Sequence, residues 1–175
     1  MQTFLPYPDF DKSAKALDDK RLCKQILETG QILNALAGGK GYANHPVTLS
    51  WQGYEDALRL YGHAVLREYR ARGGVAYADY ETWFGTPNPD ASMPLWFGHE
   101  CFHKGHRGHL FRKNNKAYAL LEIFAHAPLL YPYKFAFVER VAPGRFMPYP
   151  CKNHRVYPSV KDAWEYRTRD HFAPE

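Results

Sequence analysis

The sequence Ser13-Ala-Lys-Ala-Leu-Asp-Asp-Lys-Arg-Leu-Cys-Lys-Gln-Ile-Leu-Glu-Thr-Gly-Gln-Ile-Leu-Asn-Ala-Leu36 decides the fold, because it predicts one long amphipathic helix. With an advance of about 100° per residue, one side carries an apolar stripe that should face the core. Another side carries cations, amides and one acid at spacings of three and four, so these side chains are neighbours. The stripe consists of Leu22, Ile26, Leu33 and Leu36, and the polar side of Arg21, Lys24, Gln25, Glu28 and Gln31.

Glu28 is the one acid on this polar side. A carboxylate held among cations is expected to stay ionised at neutral pH, and it could stabilise a cation or activate water beside a bound polyanion. The plainer interpretation is a solvated helix surface with a few ion pairs, each stabilising by roughly 0.2–0.5 kcal/mol. Spacing alone favours this plainer interpretation, so the functional one depends on the rest of the chain.

The composition of the 175 residues fits a globular protein with a nucleic-acid ligand. Hydrophobic residues make up 45% and aromatic residues 16%, which excludes a disordered chain and provides rings for base stacking. The formal charge of +5 and the pI of about 9.0 suit a polyanionic partner. Three widely spaced cysteines argue against a disulfide framework and for a reducing compartment. We see no signal peptide or membrane span and expect a cytoplasmic protein.

The remaining pattern predicts a mainly α, single-domain protein over residues 1–175. Pro6 and Pro8 keep the first dozen residues extended. A second helix should begin at Pro46, capped by Asn44 or His45, and run to about Arg72. The other expectations are a short helix within 75–97, a helix over 116–126, irregular chain with a short strand pair over 129–158, and a last helix over 159–170. Residues 1–125 would form a helical core, and residues 126–175 an irregular, Pro- and aromatic-rich extension packed on it.

A histidine-rich run after Gly98 allows two interpretations. His99-Glu100-Cys101-Phe102-His103 matches the H-E-x-x-H pattern of zinc peptidases, with Glu122 as a conceivable third ligand. The closely flanking glycines weaken this interpretation, since the pattern needs an uninterrupted helix. The favoured interpretation is a phosphate-gripping loop over 103–114 that opens a helix, in which cations supply charge and free amides bind anions. Its candidate DNA contacts are His106, Arg107, His109, Arg112 and Lys113.

Several of these segments together resemble the pyrimidine dimer DNA glycosylase family (endonuclease V-like), and in particular its bacterial branch. They are the opening Met1–Pro6, the run Leu17–Gln25 with Glu28, the Asn44-His45-Pro46 helix start, and the stretch from His106 to Lys113. The resemblance covers roughly residues 1–125. It implies a compact, largely helical enzyme without a cofactor, which distorts duplex DNA and cuts an N-glycosidic bond.

The resemblance also implies site residues. The family's essential helix glutamate corresponds to Glu28. Its nucleophile is the α-amine of a threonine exposed by loss of Met, whereas residue 2 here is Gln, so we expect Met1 to remain. An α-amine titrates near about 7.7–8.0, so the Met1 amine could still attack. Because the threonine is absent, we favour an enzyme that leaves an abasic site uncut, with AP-lyase activity in doubt.

The hypothesis from sequence is therefore a DNA glycosylase with Glu28 and Met1 as catalytic residues and double-stranded DNA as its partner. We expect it to need no metal, cofactor, membrane or obligate protein partner and to be a monomer. The excised base would be a pyrimidine dimer or a hypermodified phage pyrimidine, in repair or in anti-phage defence. The alternatives are a non-catalytic DNA- or RNA-binding module and the zinc peptidase. The expected DNA contacts on the N-terminal side are Arg21, Lys24, Gln25 and His45.

Overall fold

The fold was determined from a computed structural model, which describes residues 1–75, 79–94, 96–127 and 129. Within these ranges the chain is mainly α and has no β-strand, as the sequence predicts. The helices are α1 (Phe10–Lys15), α2 (Asp19–Leu36), α3 (Pro46–Trp51), α4 (Glu55–Ala71), α5 (Tyr80–Phe84) and α6 (Glu100–Lys113), followed by a 3₁₀-helix at Ala119–Phe124.

The helix predicted over residues 13–36 is divided in two by an N-cap. Asp18 has extended backbone, and its side chain accepts a hydrogen bond from the Arg21 backbone N–H, so α2 begins only at Asp19. The predicted apolar stripe is confirmed at Leu22, Ile26 and Leu33, which are buried. The sequence pattern thus gave the orientation of α2 correctly but not its beginning.

The second predicted helix, from Pro46 to about Arg72, is also divided. His45 caps α3 through Nδ1, which accepts the Val47 N–H, and Pro46 takes the first helical position as predicted. Gly53 then turns the chain with a φ of +86°, and its N–H donates to Glu55 at the start of α4.

The stretch predicted as a basic loop is helical instead. α6 spans Glu100–Lys113 and contains Gly105 and Gly108 without interruption. Gly108 is required there, because a Cβ would lie 2.2 Å from the Phe124 carbonyl oxygen in the 3₁₀-helix. Gly108, one of the two glycines that suggested a loop, therefore serves helix packing.

The short helix α5, which was predicted within residues 75–97, docks on α2 and α4 through two glycines. The Trp83 ring lies on Gly30, where a Cβ would approach it to 2.5 Å, and Phe84 lies against Gly62 at 3.0 Å. These close approaches hold α5 against the two longest helices.

The first nine residues are not helical, as their prolines predict, although α1 begins at Phe10, within the dozen residues predicted to be extended. Residues 3–6 are buried rather than on the surface. Thr3, Phe4 and Leu5 are buried among the helices, with 4%, 6% and 0% of their surface exposed. The N-terminal segment, defined here as residues 1–6, is thus an inner element of the core, and the site is built around it.

Some sequence predictions fall outside the described residues or need correction. The strand pair within 129–158, the helix over 159–170 and the packing of the extension lie outside them. Cys101 is disulfide-bonded, against the expectation for the three cysteines, while Cys23 is free and exposed. No helix in the described part of the chain is long and apolar enough to cross a membrane.

Candidate active site

Gln25 of α2 holds the N-terminal segment as a neighbouring strand would. Its Nε2 donates to the Gln2 carbonyl at 2.8 Å, and its Oε1 accepts the Phe4 N–H at 2.8 Å. The side chain is buried, with 1% exposed, so both bonds are shielded from water. One primary amide therefore pairs with two backbone groups and fixes the register of the segment on α2.

Two buried aromatic side chains reinforce this attachment. The Tyr61 hydroxyl of α4 lies 2.7 Å from Gln25 Oε1 and 3.0 Å from the Phe4 carbonyl oxygen. Burial raises the pKa of this hydroxyl well above its usual value, so it remains a donor. Trp51 of α3 donates its indole N–H to Thr3 Oγ1 at 3.1 Å. Three helices thus converge on residues 2–4.

Two histidines of α6 hold the same segment from the other side. His103 Nδ1 lies 2.8 Å from the Leu5 carbonyl oxygen, and the Leu5 N–H donates to His106 Nδ1 at 3.2 Å. His103 Nε2 accepts the Gly98 N–H, so this ring is neutral with its proton on Nδ1. Burial lowers the pKa of His103 and lowers that of His106 well below the usual value.

Arg107 completes this second attachment. Its guanidinium donates to the Pro6 carbonyl at 2.7 Å and to Glu100, and it stacks on the Phe124 ring at 4.4 Å. Because Arg107 is only 5% exposed, its positive charge binds groups of the protein itself.

This double attachment places the α-amine of Met1 beside the carboxylate of Glu28. The amine nitrogen lies 3.7 Å from Glu28 Oε1, and Lys24 Nζ lies 3.6 Å from the same oxygen. The other oxygen, Oε2, accepts the Gln2 N–H and the Gln25 amide, each at 3.1 Å. The Glu28 side chain is 8% exposed. One carboxylate oxygen is thus bound by fixed donors, while the other faces two cations.

His45 adjoins this pair from α3. Its pKa is lowered, first by partial burial and then by the charge of the Met1 amine, whereas Glu28 acts in the opposite direction. Since Nδ1 accepts the Val47 N–H, the neutral ring carries its proton on Nε2. The site therefore combines a carboxylate, an amine, a lysine and an imidazole donor.

A basic cluster is formed by Arg21, near the start of α2, and by His109, Arg112 and Lys113, near the end of α6. The three charged side chains and burial together lower the pKa of His109 to about 4, burial being the largest cause. Arg21 precedes Glu28 on α2 by seven positions, which places it about 10 Å away along the helix axis and on the same side of the helix. The cluster therefore joins α2 to the end of α6 and leaves Arg112 and Lys113 exposed.

Residues 1–83 match the family model of pyrimidine dimer DNA glycosylases. The match confirms the resemblance predicted from the sequence over these residues and supports a pyrimidine dimer DNA glycosylase-like function. No curated protein and no solved structure matches the chain. The matched part contains α1 to α4 and most of α5, with Met1, Lys24, Glu28 and His45.

The structure places the residues that were predicted from sequence as site residues in two different environments. Lys24 is exposed and His45 half-buried beside the carboxylate, and Arg21 is paired with Asp18. Gln25, His106 and Arg107, which were expected to contact DNA, are buried and bound to residues 2–6. The geometry does not support phosphate contacts at these three positions, because the side chains are buried away from solvent and each binds the protein's own backbone. Two of their nitrogen atoms, His106 Nε2 and Arg107 Nε, are buried without a partner among the described residues.

The zinc-peptidase interpretation finds no support in the geometry. Both ring nitrogens of His103 are bound to backbone groups, and His99 lies outside α6 as its N-cap rather than on the same helical face. Glu100 pairs with Arg107 and Lys104. Among the residues that the structure describes, no three histidine, cysteine or acidic side chains are grouped to hold a metal ion.

Sequence reasoning missed the residues that position the N-terminal segment, notably Thr3, Trp51, Tyr61 and His103. One signal was available. His103, His106 and Arg107 are spaced as one helical face, which indicates a common partner once the stretch is treated as helix. Their partner is a backbone segment about a hundred residues away, and no local pattern identifies it.

Proposed function

We propose that the protein is a DNA N-glycosylase that hydrolyses the glycosidic bond of a damaged or bulky modified pyrimidine and leaves an abasic site. The observation that carries this proposal is the Glu28 carboxylate, oriented by Gln2 and Gln25 and flanked by the Met1 amine and Lys24 within 4 Å. Such an arrangement suits a reaction in which positive charge appears briefly beside a polyanion.

Glu28 would stabilise the transition state electrostatically. When the C1′–N bond breaks, its electron pair leaves with the base, and the deoxyribose becomes oxocarbenium-like. A preorganised carboxylate favours that charge because its orientation requires no rearrangement during the reaction. The Gln2 N–H and the Gln25 amide hold Oε2, so Oε1 is the oxygen available to the sugar.

Water is the nucleophile in this proposal. The Met1 amine lies 3.7 Å from Glu28 Oε1, and in this proposal it acts as the counter-ion of the carboxylate rather than as the group that attacks C1′. A water molecule oriented by Glu28 can donate its oxygen to C1′ and its proton to the carboxylate. Met1 then contributes by fixing the carboxylate and by binding a neighbouring phosphate or the departing base.

The duplex would be held by positive charge on the same side of α2. Lys24 lies at the carboxylate, and the basic cluster begins about 10 Å further along this helix. Phosphate contacts of this kind position the duplex and do not read its sequence. The substrate must also leave the base stack, since the glycosidic bond is otherwise inaccessible.

The test is base release by the wild-type protein from two duplexes, one irradiated with ultraviolet light and one carrying glucosylated phage pyrimidines. Mass spectrometry of the freed base identifies the substrate: release from irradiated DNA assigns repair, and release from the phage DNA assigns anti-phage defence. If the protein binds both duplexes and releases no base from either, it is a non-catalytic binding module and the proposal is wrong.

Borohydride trapping tests the nucleophile separately. With water as the nucleophile, an abasic duplex incubated with the protein and borohydride gives no covalent adduct. A trapped adduct at the Met1 amine would assign the attack to the amine and give the enzyme lyase activity. Intact-mass analysis of the same sample establishes that Met1 is present.

A further inference from the structure

Tyr42 is an exposed ring held in an unusual backbone conformation next to the site. It has 57% of its surface exposed and a φ of +52°, and it is alone among the described non-glycine residues in having a positive φ. A bulky side chain in the left-handed region is uncommon and is retained only where the surroundings enforce it. Gly41 before it, at a φ of +89°, brings the chain into this turn.

The turn at Tyr42 is fixed to the helix that borders the carboxylate. The Tyr42 carbonyl accepts the His45 N–H at 2.9 Å, and its ring meets the His45 ring edge-on at 6.2 Å and 80°. His45 in turn begins α3, which the Trp51–Thr3 bond ties to the N-terminal segment. The ring is therefore positioned relative to Glu28 through fixed contacts, although most of its face is open to solvent.

We propose that the exposed face of Tyr42 is the stacking surface for a nucleobase that leaves the duplex beside the scissile glycosidic bond. This inference rests on the proposed function, and it names the aromatic residue that the reaction requires. An aromatic face suits this role because every base presents a π-face, so a damaged or modified pyrimidine can stack as well as a normal one.

Other features of the turn agree with a stacking role for Tyr42 and indicate that its ring does not contribute to the core. The hydroxyl of Tyr42 makes no hydrogen bond within the described residues, and the ring contributes to no buried cluster. Trp83, another partly exposed ring, is by contrast seated on Gly30 and stacked on Tyr80 at 5.7 Å. Tyr42 thus keeps a free face at the site, whereas Trp83 serves the packing of α5.

The experiment places 2-aminopurine in a duplex beside an abasic-site analogue and measures its fluorescence on binding. Fluorescence rises when the probe leaves the stack and falls again when it stacks on a ring. We expect wild type and Tyr42→Phe to give the same quenched signal, and Tyr42→Ala to give a brighter probe and binding weakened by roughly 5- to 100-fold. Leu120→Ala, which removes a 94% exposed side chain from the 3₁₀-helix, is the control and should match wild type.

The outcomes separate this inference from the proposed function. Identical fluorescence and affinity for Tyr42→Ala and wild type would overturn the stacking role, whether or not the protein releases bases. Absence of base release by wild type, together with the predicted fluorescence difference, would overturn the glycosylase proposal and leave Tyr42 as a base-binding residue. Circular dichroism of Tyr42→Ala verifies that the exposed substitution leaves the fold intact.

Discussion

The N-terminal segment has two sides, and the polar side chains on them do different work. On the α2 side, Lys24 is 66% exposed and the Glu28 carboxylate is bordered by cations at the edge of solvent. On the α6 side, His106 and Arg107 are buried and bound to the backbone of Leu5 and Pro6. Both sides looked like ligand-binding surfaces in the sequence.

The difference teaches that a polar residue on a helix can bind the protein's own backbone as readily as a ligand. An extended segment inside a helical core has no strand partner, and its amide groups must still be paired. Gln25 and the α6 residues supply that pairing, whereas Glu28 directs Oε1 toward the Met1 amine and Lys24. The following predictions test this division of roles, from the largest effect to the smallest.

Gln25→Leu should have the largest effect among the positioning residues. It leaves the Gln2 carbonyl, the Phe4 N–H and the Tyr61 hydroxyl without their shared partner, at about 1–3 kcal/mol for each buried group. We expect urea denaturation to show a loss of roughly 3–5 kcal/mol. Base release should fall about 100-fold, because a misplaced carboxylate acts on the sugar poorly.

The control for this variant is Gln31→Leu, which changes the same side-chain type on α2 outside the network. It should leave stability within about 0.5 kcal/mol of wild type. If Gln25→Leu folds as stably as wild type and loses only DNA affinity, then Gln25 contacts DNA as the sequence suggested, and its assignment to the backbone is wrong.

His106→Leu should lower the free energy of unfolding by about 1–3 kcal/mol, because the buried Leu5 N–H loses its acceptor. His106→Asn, which offers an oxygen near the position of Nδ1, should restore part of that loss. Affinity for a plain duplex, measured by fluorescence anisotropy, should not change in either variant. A loss of duplex affinity at unchanged stability would place His106 on the DNA-binding surface.

Acidification should destabilise the fold, in large part through the buried histidines of α6. The folded-state pKa of His109 is about 4 and that of His106 is well below 6.5, so the unfolded chain takes up protons first as the pH falls. The free energy of unfolding should therefore be highest above about pH 6.5 and decline as the pH falls toward 4. His109→Phe keeps an aromatic ring against Phe4, which His109 stacks on at 5.6 Å, and removes one of these protons.

Denaturation midpoints measured at intervals between pH 7 and pH 4 test this prediction. The slope for His109→Phe should be shallower than that of wild type by at most about 1.4 kcal/mol per pH unit. Parallel slopes for the two proteins would show that the His109 ring is not protected from protonation in the fold.

Lys24→Ala should have the smallest effect on stability, below about 0.5 kcal/mol, since exposed ion pairs contribute little. Its effect should appear in DNA binding, where the slope of log affinity against log salt falls by about one. Lys12→Ala on α1 is the control and should leave that slope unchanged. Unchanged slopes for both variants would remove Lys24 from the DNA-binding surface.

Much of this architecture could be predicted from the sequence, because it depends on local signals. The apolar stripe of α2, the Pro46 helix start and the short α5 follow from helical spacing and capping residues. The predicted likeness to the glycosylase family is confirmed over residues 1–83. Glu28 was selected because it is the single acid on the polar side of α2, and its catalytic role stays a prediction.

The rest depends on contacts between distant residues and could not be predicted. The breaks before α2 and α4 come from single caps and a single glycine, which compete with a helical periodicity that continues through them. The burial of His106 and Arg107 depends on where the first six residues pack, about a hundred positions away. The sequence showed that the stretch around His106 and Arg107 is basic, but it could not show that these side chains bind the backbone of Leu5 and Pro6.

The most direct test of the account is single-turnover base release by Glu28→Gln, with duplex affinity measured on the same protein. Gln keeps the size of the side chain and an oxygen that can accept the bonds of Gln2 and Gln25, but it carries no negative charge. The account predicts that base release falls by at least about 100- to 1,000-fold while the affinity for the duplex is retained. Base release at the wild-type rate would contradict it and show that the carboxylate takes no part in breaking the glycosidic bond.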